Sequence, residues 1–189
     1  MADESAGRLF LGVALDDAAR REIDAHLRAS LAGDALPGRA VPMANWHLTL
    51  RFLGRTTAQQ AAGVRAATEA ADLGSAFTMR FGGLGAFPRP RRASVLWMAV
   101  AEGVDRLRAL AALAEEAARA AGFAPEDRPY TPHLTLSRLN PPRDVTDHVA
   151  RTPSADVESR VDGVVLFRSR LGGGPARYEV VDRWGLRAP

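Results

Sequence analysis

The chain has 189 residues, with 25 basic and 22 acidic side chains and a net charge of +3. No run approaches the ~20 apolar residues a membrane helix needs. With no cysteine there is no disulfide, thiolate nucleophile or cysteine-ligated zinc, and a reducing cytoplasm is the expected location. Every basic residue is arginine, so Schiff-base, P-loop and adenylyl-lysine chemistry are excluded. The charge excess is mild, so a nucleic-acid partner is permitted but not demanded. Residues 1–8 carry Asp3 and Glu4 and no apolar core, so no secretory leader is expected.

In chain order, residues 9–15 form a short apolar run that reads as a buried strand. Asp16 caps a helix over 17–31. Residues 33–42 are loop, broken by Pro37, Gly38 and Pro42. A strand over 45–53 is stopped by Gly54, and a helix over 56–73 starts at Thr56 or Thr57. Strands at 76–84 and 93–100 flank a proline- and arginine-rich turn at 85–92. An alanine-rich helix, 104–121, is closed by Gly122. After a loop at 124–132 comes a strand over 133–137. Residues 140–143 break the chain, and a short helix follows near 145–151. Two last strands, 161–170 and 177–186, surround a turn at 172–175. Alternation mixed with adjacent strand pairs argues for an α/β or α+β fold with largely antiparallel sheets.

One word is written twice. His47-Leu-Thr-Leu50 recurs as His133-Leu-Thr-Leu136, in a chain with four histidines. In a strand, side chains alternate between faces. Each copy therefore shows an imidazole and a hydroxyl on one face and anchors itself through two leucines on the other. One His-x-Thr in a strand is an ordinary structural feature; two identical copies point to chemistry. Two histidines flanking a phosphorus can divide proton transfer, one as base and one as acid. Thr49 and Thr135, stiff at χ1, are placed to donate to phosphoryl oxygens. A zinc site lacks a third ligand nearby. His26 and His148 fall in expected helices and read as ordinary surface residues.

Other residues leave alternatives open. Arg51 shares the His47 face and either binds phosphate or sits in solvent at a strand end. Strict alternation puts Arg138 on the leucine face; it reaches the cleft only if the strand ends or twists near Ser137. The turn Pro88–Arg92 reads first as a solvated hairpin tip and second as an RNA phosphate contact. Phe87 either stacks on a base or closes the core. The glycine run at 171–175 is a turn and not a phosphate loop.

With the paired words, Asn45-Trp-His-Leu-Thr-Leu-Arg-Phe-Leu-Gly54, Val95-Leu-Trp97, Arg128-Pro-Tyr-Thr-Pro-His-Leu-Thr-Leu-Ser-Arg138 and Arg177-Tyr-Glu-Val-Val-Asp-Arg-Trp184, the chain resembles the RNA 2′,3′-cyclic phosphodiesterases, also called 2′-5′ RNA ligases, of the 2H phosphoesterase superfamily. The resemblance implies one bilobal domain over 1–189, two pseudo-symmetric lobes and a central cleft. It implies hydrolysis of an RNA 2′,3′-cyclic phosphate end to a 2′-phosphate with no metal or other cofactor. His47 then matches the general acid, His133 the general base, Thr49 and Thr135 the phosphate donors, and Arg138 a substrate-contacting arginine. The expected partner is RNA with cyclic phosphate ends, tRNA halves among them. A monomer away from membranes is expected. Alternatives are 2′-5′ ligation, 2′-5′ oligonucleotide cleavage, and a non-catalytic module that binds RNA ends.

Overall fold

The computed structural model describes residues 5–31, 35–170, 172 and 176–188. Among these residues nine strands and four α-helices follow one another as β1 (Ser5–Ala14), α1 (Asp17–Ser30), β2 (Arg39–Ala40), β3 (His47–Thr57), α2 (Ala58–Ala70), β4 (Phe77–Phe87), β5 (Ala93–Glu102), α3 (Val104–Ala120), β6 (His133–Arg143), α4 (Thr146–Arg151), β7 (Glu158–Val161), β8 (Gly163–Arg170) and β9 (Arg177–Gly185). None of these helices is long and apolar enough to cross a membrane. The helix starts follow their capping chemistry. Asp16 accepts from Ala19 N at 2.7 Å at the start of α1. Thr57 and Gln60 form a reciprocal capping box at α2. Gly122, at φ +84°, ends α3 while the Phe123 N–H returns to Ala118 O at 3.0 Å.

The strands lie in the order β7-β4-β5-β6-β3-β1-β8-β9, with β2 added against β6. All these pairings are antiparallel. At the middle, β3 and β6 share a single registered pair, Leu48 opposite Leu134. On either side of it the sheet divides into halves, β3-β1-β8-β9 and β6-β5-β4-β7. The halves correspond strand for strand. Ala14 on β1 faces His47, and Ala99 on β5 faces His133. Both ladders then slip by one residue at the same place. Leu11 pairs with Arg51 and Gly12 with Thr49 in one half. Leu96 pairs with Ser137 and Trp97 with Thr135 in the other.

The chain thus runs twice through β-α-β-α, and each passage lends strands to the other half. β4 follows α2 but pairs with β5, and β8 follows α4 but pairs with β1. The helices cross over as well: α1 packs toward β7 and α4 against β4, while α2 and α3 cover β3. The halves are therefore interleaved and do not coincide with contiguous stretches of sequence. One core runs beneath both, including Leu48, Leu50, Leu134 and Leu136, each at most 5 % exposed. The leucines of both words anchor their strands as alternation requires.

Several expected boundaries move. Gly54 does not stop β3; it takes φ +71° at a register slip between Leu9–Gly54 and Phe10–Phe52, and pairing with β1 carries the strand to Thr57. Residues 140–143 do not break β6, because Ala93 pairs with Arg143 beyond the looped-out stretch. Pairing with β5 likewise extends β4 to Phe87, into the expected turn. β7 has no counterpart among the expected strands. It is a short edge strand whose exposed face is Glu158 and Arg160, too polar to register as an apolar run. The two-residue β2 lies inside an expected loop, where alternation has no length in which to appear. The turn at 172–175 falls mostly outside the described residues.

Candidate active site

Two close approaches shape the concave face. A Cβ on Gly12 would lie 2.7 Å from Leu48 O, so only glycine lets β1 run this near β3. Gly85 leaves room for the Trp97 indole, which lies 2.3 Å from where its Cβ would be. His47 and Thr49 emerge from β3 between these packed strands, and His133 and Thr135 from β6. All four line one cleft of about 840 Å³. The proposed site residues are thus brought together from positions 86 apart in the chain.

The two imidazoles are held alike. The Nδ1 of His47 is 2.7 Å from Asn45 O, and that of His133 is 2.7 Å from Thr131 O. A carbonyl only accepts, so each Nδ1 carries the proton and each neutral ring offers its Nε2 lone pair to the cleft. At His47, the Thr49 hydroxyl sits 3.0 Å from Nε2 and donates to it. Burial lowers the pKa of both rings. Burial first, and the Arg138, His133 and Arg20 charges after it, take His47 down to about 4. His133 is lowered by burial and again by Arg138. Both histidines are therefore neutral at rest near pH 7.

Aromatic rings fix the imidazoles from behind and from the side. Phe10 lies 4.7 Å and Tyr178 5.0 Å from His47, the latter edge-on at 89°. Phe87 meets His133 at 5.1 Å and 84°, and packs on Trp97 at 5.0 Å. Phe87 thus walls the cleft and braces a histidine.

Arg138 does enter the cleft. The one-residue slip in the β5–β6 ladder leaves Leu136 and Ser137 both buried in succession, so alternation resumes out of phase and Arg138 regains the histidine face. Arg51 lines the cleft too, but its guanidinium is occupied. It pairs with Glu115 and donates at 2.5 Å to Phe52 O and Ala124 O. It ties β3 to α3 and to the loop that follows. His26 and His148 lie away from the cleft lining. Among the described residues no three His, Cys, Asp or Glu side chains stand together as a metal-binding group.

Sequence reasoning missed three lining residues. Phe52 is 55 % exposed in the cleft and occupies on β3 the place that Arg138 occupies on β6. Among the described residues the Tyr130 hydroxyl is buried without a partner, and burial raises its pKa. Tyr178 comes from β9, far along the chain. Alternation along β3 carries no sign of Phe52, because the slip at Leu50 has to be known first. The two tyrosines lie in stretches that carried the resemblance, but nothing in those stretches indicates their placement.

The interleaved half-sheets thus bring one His-x-Thr strand from each to a single cleft. The family description of the 2′-5′ RNA ligase superfamily matches residues 15–173. The RNA 2′,3′-cyclic phosphodiesterase of Aeropyrum pernix is 37 % identical over 123 residues, 64 % of this chain and 68 % of that one. The Escherichia coli protein of the same name is 30 % identical over 181 residues, 95 % and 96 % of the two chains. The crystal structure of E. coli LigT complexed with 3′-AMP superimposes with a TM-score of 0.78 at 29 % identity, covering 97 % of this chain and 99 % of that one. The chain belongs to the 2′-5′ RNA ligase superfamily.

Proposed function

We propose that the protein is an RNA 2′,3′-cyclic phosphodiesterase that opens the terminal cyclic phosphate to a 2′-phosphate, with His47 as acid and His133 as base. The observation that carries this reading is the matched pair of Nε2 atoms facing one cleft, each ring held by a carbonyl at 2.7 Å. Relatives bearing the RNA 2′,3′-cyclic phosphodiesterase name over nearly the whole chain support the substrate.

Neutral His133 takes a proton from water as the water oxygen bonds to phosphorus. The bond from phosphorus to the 3′ oxygen breaks, and protonated His47 gives that oxygen its proton. His47 is neutral at rest and must be charged first. The anionic phosphate, arriving beside a ring whose pKa is held down by burial and neighbouring cations, favours uptake of that proton. The Thr49 hydroxyl then turns from Nε2 to a phosphoryl oxygen, matched by Thr135, and Arg138 meets the developing charge. Both histidines come from one chain, so a monomer suffices. The natural substrates of this reading are RNA ends in the cytoplasm, tRNA halves among them.

The test is hydrolysis of an oligoribonucleotide 2′,3′-cyclic phosphate by the purified protein in EDTA. A 2′-phosphate product and a bell-shaped pH–rate curve are expected. A 3′-phosphate product, a requirement for added zinc, or RNA binding without turnover would overturn the reading.

A further inference from the structure

The turn between β4 and β5 is more than a hairpin tip. Phe87 and Pro88 line the cleft, and the next residues, Arg89, Arg91 and Arg92, project from its rim as exposed side chains around a short 3-10 turn, Pro90–Arg92. The turn is fixed in place. The Val145 N–H donates to Pro90 O at 2.8 Å, and Arg92 N returns to Arg89 O at 3.0 Å.

The ladder beside it sets a row. Along β5, Ala99 faces His133, Trp97 faces Thr135, Val95 faces Arg138 and Ala93 faces Arg143. Each step is two residues, about 7 Å of strand. Catalytic imidazole, phosphate donor and cleft arginine therefore follow one another along the cleft face; past the irregularity between Val95 and Ala93 Ala93 turns into the core, and Arg143, Arg92, Arg91 and Arg89 lie exposed at the same end of the strand.

The charges of this rim are held without neutralising partners. Among the described residues, none of Arg89, Arg91, Arg92 and Arg143 takes part in an ion pair. The carboxylate closest to influence is Asp144, which is occupied by Thr146 N and lies near Arg91. Clustered like charges repel, so this arrangement weakens the free protein slightly and favours a bound polyanion.

We infer that Arg89, Arg91, Arg92 and Arg143 form a track for the phosphates of the nucleotides preceding the cyclic end, making the enzyme selective for RNA chains over mononucleotides. The inference rests on the function proposed above and names its substrate class: a single-stranded polyanion entering past the β4–β5 turn. The contacts are to phosphate, so they confer length preference and salt dependence but no base preference.

The experiment compares wild-type protein with R89Q/R91Q/R92Q on two substrates, 2′,3′-cyclic AMP and a short oligoribonucleotide ending in a 2′,3′-cyclic phosphate, across a salt series. The variant is expected to lose about tenfold or more in kcat/KM on the oligonucleotide, through KM. Its plot of log KM against log salt should be shallower by ~0.7 for each phosphate it no longer neutralises. Its kinetics on cyclic AMP should match wild type, which also reports an intact fold. The triple arginine-to-lysine variant should retain most of the oligonucleotide preference. Equal losses on both substrates, or no loss on either, would overturn the track while leaving the hydrolase reading intact. Binding of phosphatidylserine vesicles that is abolished in the glutamine variant, with RNA kinetics unchanged, would overturn it in favour of a membrane contact. Failure of wild-type protein to open either substrate would remove the hydrolase reading and this inference with it.

Discussion

Leu48 and Leu134 face each other as the one registered pair between β3 and β6, and both are fully buried. Each is the second residue of the repeated word, so the approximate twofold axis of the molecule passes between them. The histidine of each word stands one residue before the axis on its own strand, which places the two imidazoles symmetrically about the same cleft. A stability test follows. Leu48→Ala and Leu134→Ala should each cost roughly 2–5 kcal/mol. Because the two side chains share one site, the double variant should depart from additivity in a denaturant-unfolding cycle.

The histidines anchor nothing, because the leucines of each word do. His47→Ala and His133→Ala should each lower kcat on a cyclic-phosphate oligonucleotide by roughly 10²–10⁴-fold, with the circular dichroism spectrum retained. Loss of the folded spectrum in both variants would show instead that the rings are structural.

Thr49 and Thr135 should separate in their effects. In the proposed mechanism Thr→Val at either position removes a donor to the phosphoryl oxygens, with an expected kcat loss of about 10²-fold or more. Only Thr49 also donates to a resting imidazole, at 3.0 Å from His47 Nε2. Thr49→Val should therefore shift the acidic limb of the kcat/KM pH profile, while Thr135→Val leaves that limb in place. Nuclear magnetic resonance titration of the two imidazoles checks the assignment directly.

Burial of His47 also makes folding depend on pH. Its pKa is about 4 in the folded protein and near 6.5 unfolded. Between those values the unfolded chain binds a proton that the folded one does not, so stability rises with pH across that window. The contribution is complete above pH 6.5 and declines as pH falls toward 4, by up to about 3 kcal/mol. His47→Gln should flatten this part of the stability curve. Urea unfolding of both proteins at several pH values measures it.

Arg51 should behave as a brace. Its pairing with Glu115 and its two carbonyl contacts leave it committed to α3 and the following loop. Arg51→Met should cost roughly 1–3 kcal/mol of stability by stranding those acceptors, and it should lower kcat far less than a change at either histidine.

Much of the site is written locally. The faces of His47, Thr49, His133 and Thr135 follow from the period of two in a strand, and the buried leucines confirm it. The caps at Asp16 and Thr57 and the stop at Gly122 depend on neighbours within a few residues, so they too are visible in the chain. Arg138 is different. Its face depends on a slip at Leu136 that exists only because β6 pairs with β5 at Leu96 and Trp97. Alternation along β6 alone puts it on the wrong side.

The same holds for Arg51, whose carboxylate partner lies 64 residues away, for Tyr178 beside His47, and for the end of β6. It holds most for the halves themselves: the sequence repeats a four-residue word, while the repeated unit appears only in the fold, where each unit's last strand joins the other half-sheet. Local order in the chain dictates which residues can do chemistry and which face of a strand carries them, because rotamer, cap and pleat are near-neighbour properties. Whether those faces meet, and which arginine enters the cleft, is settled only when strands remote along the chain pair in a particular register.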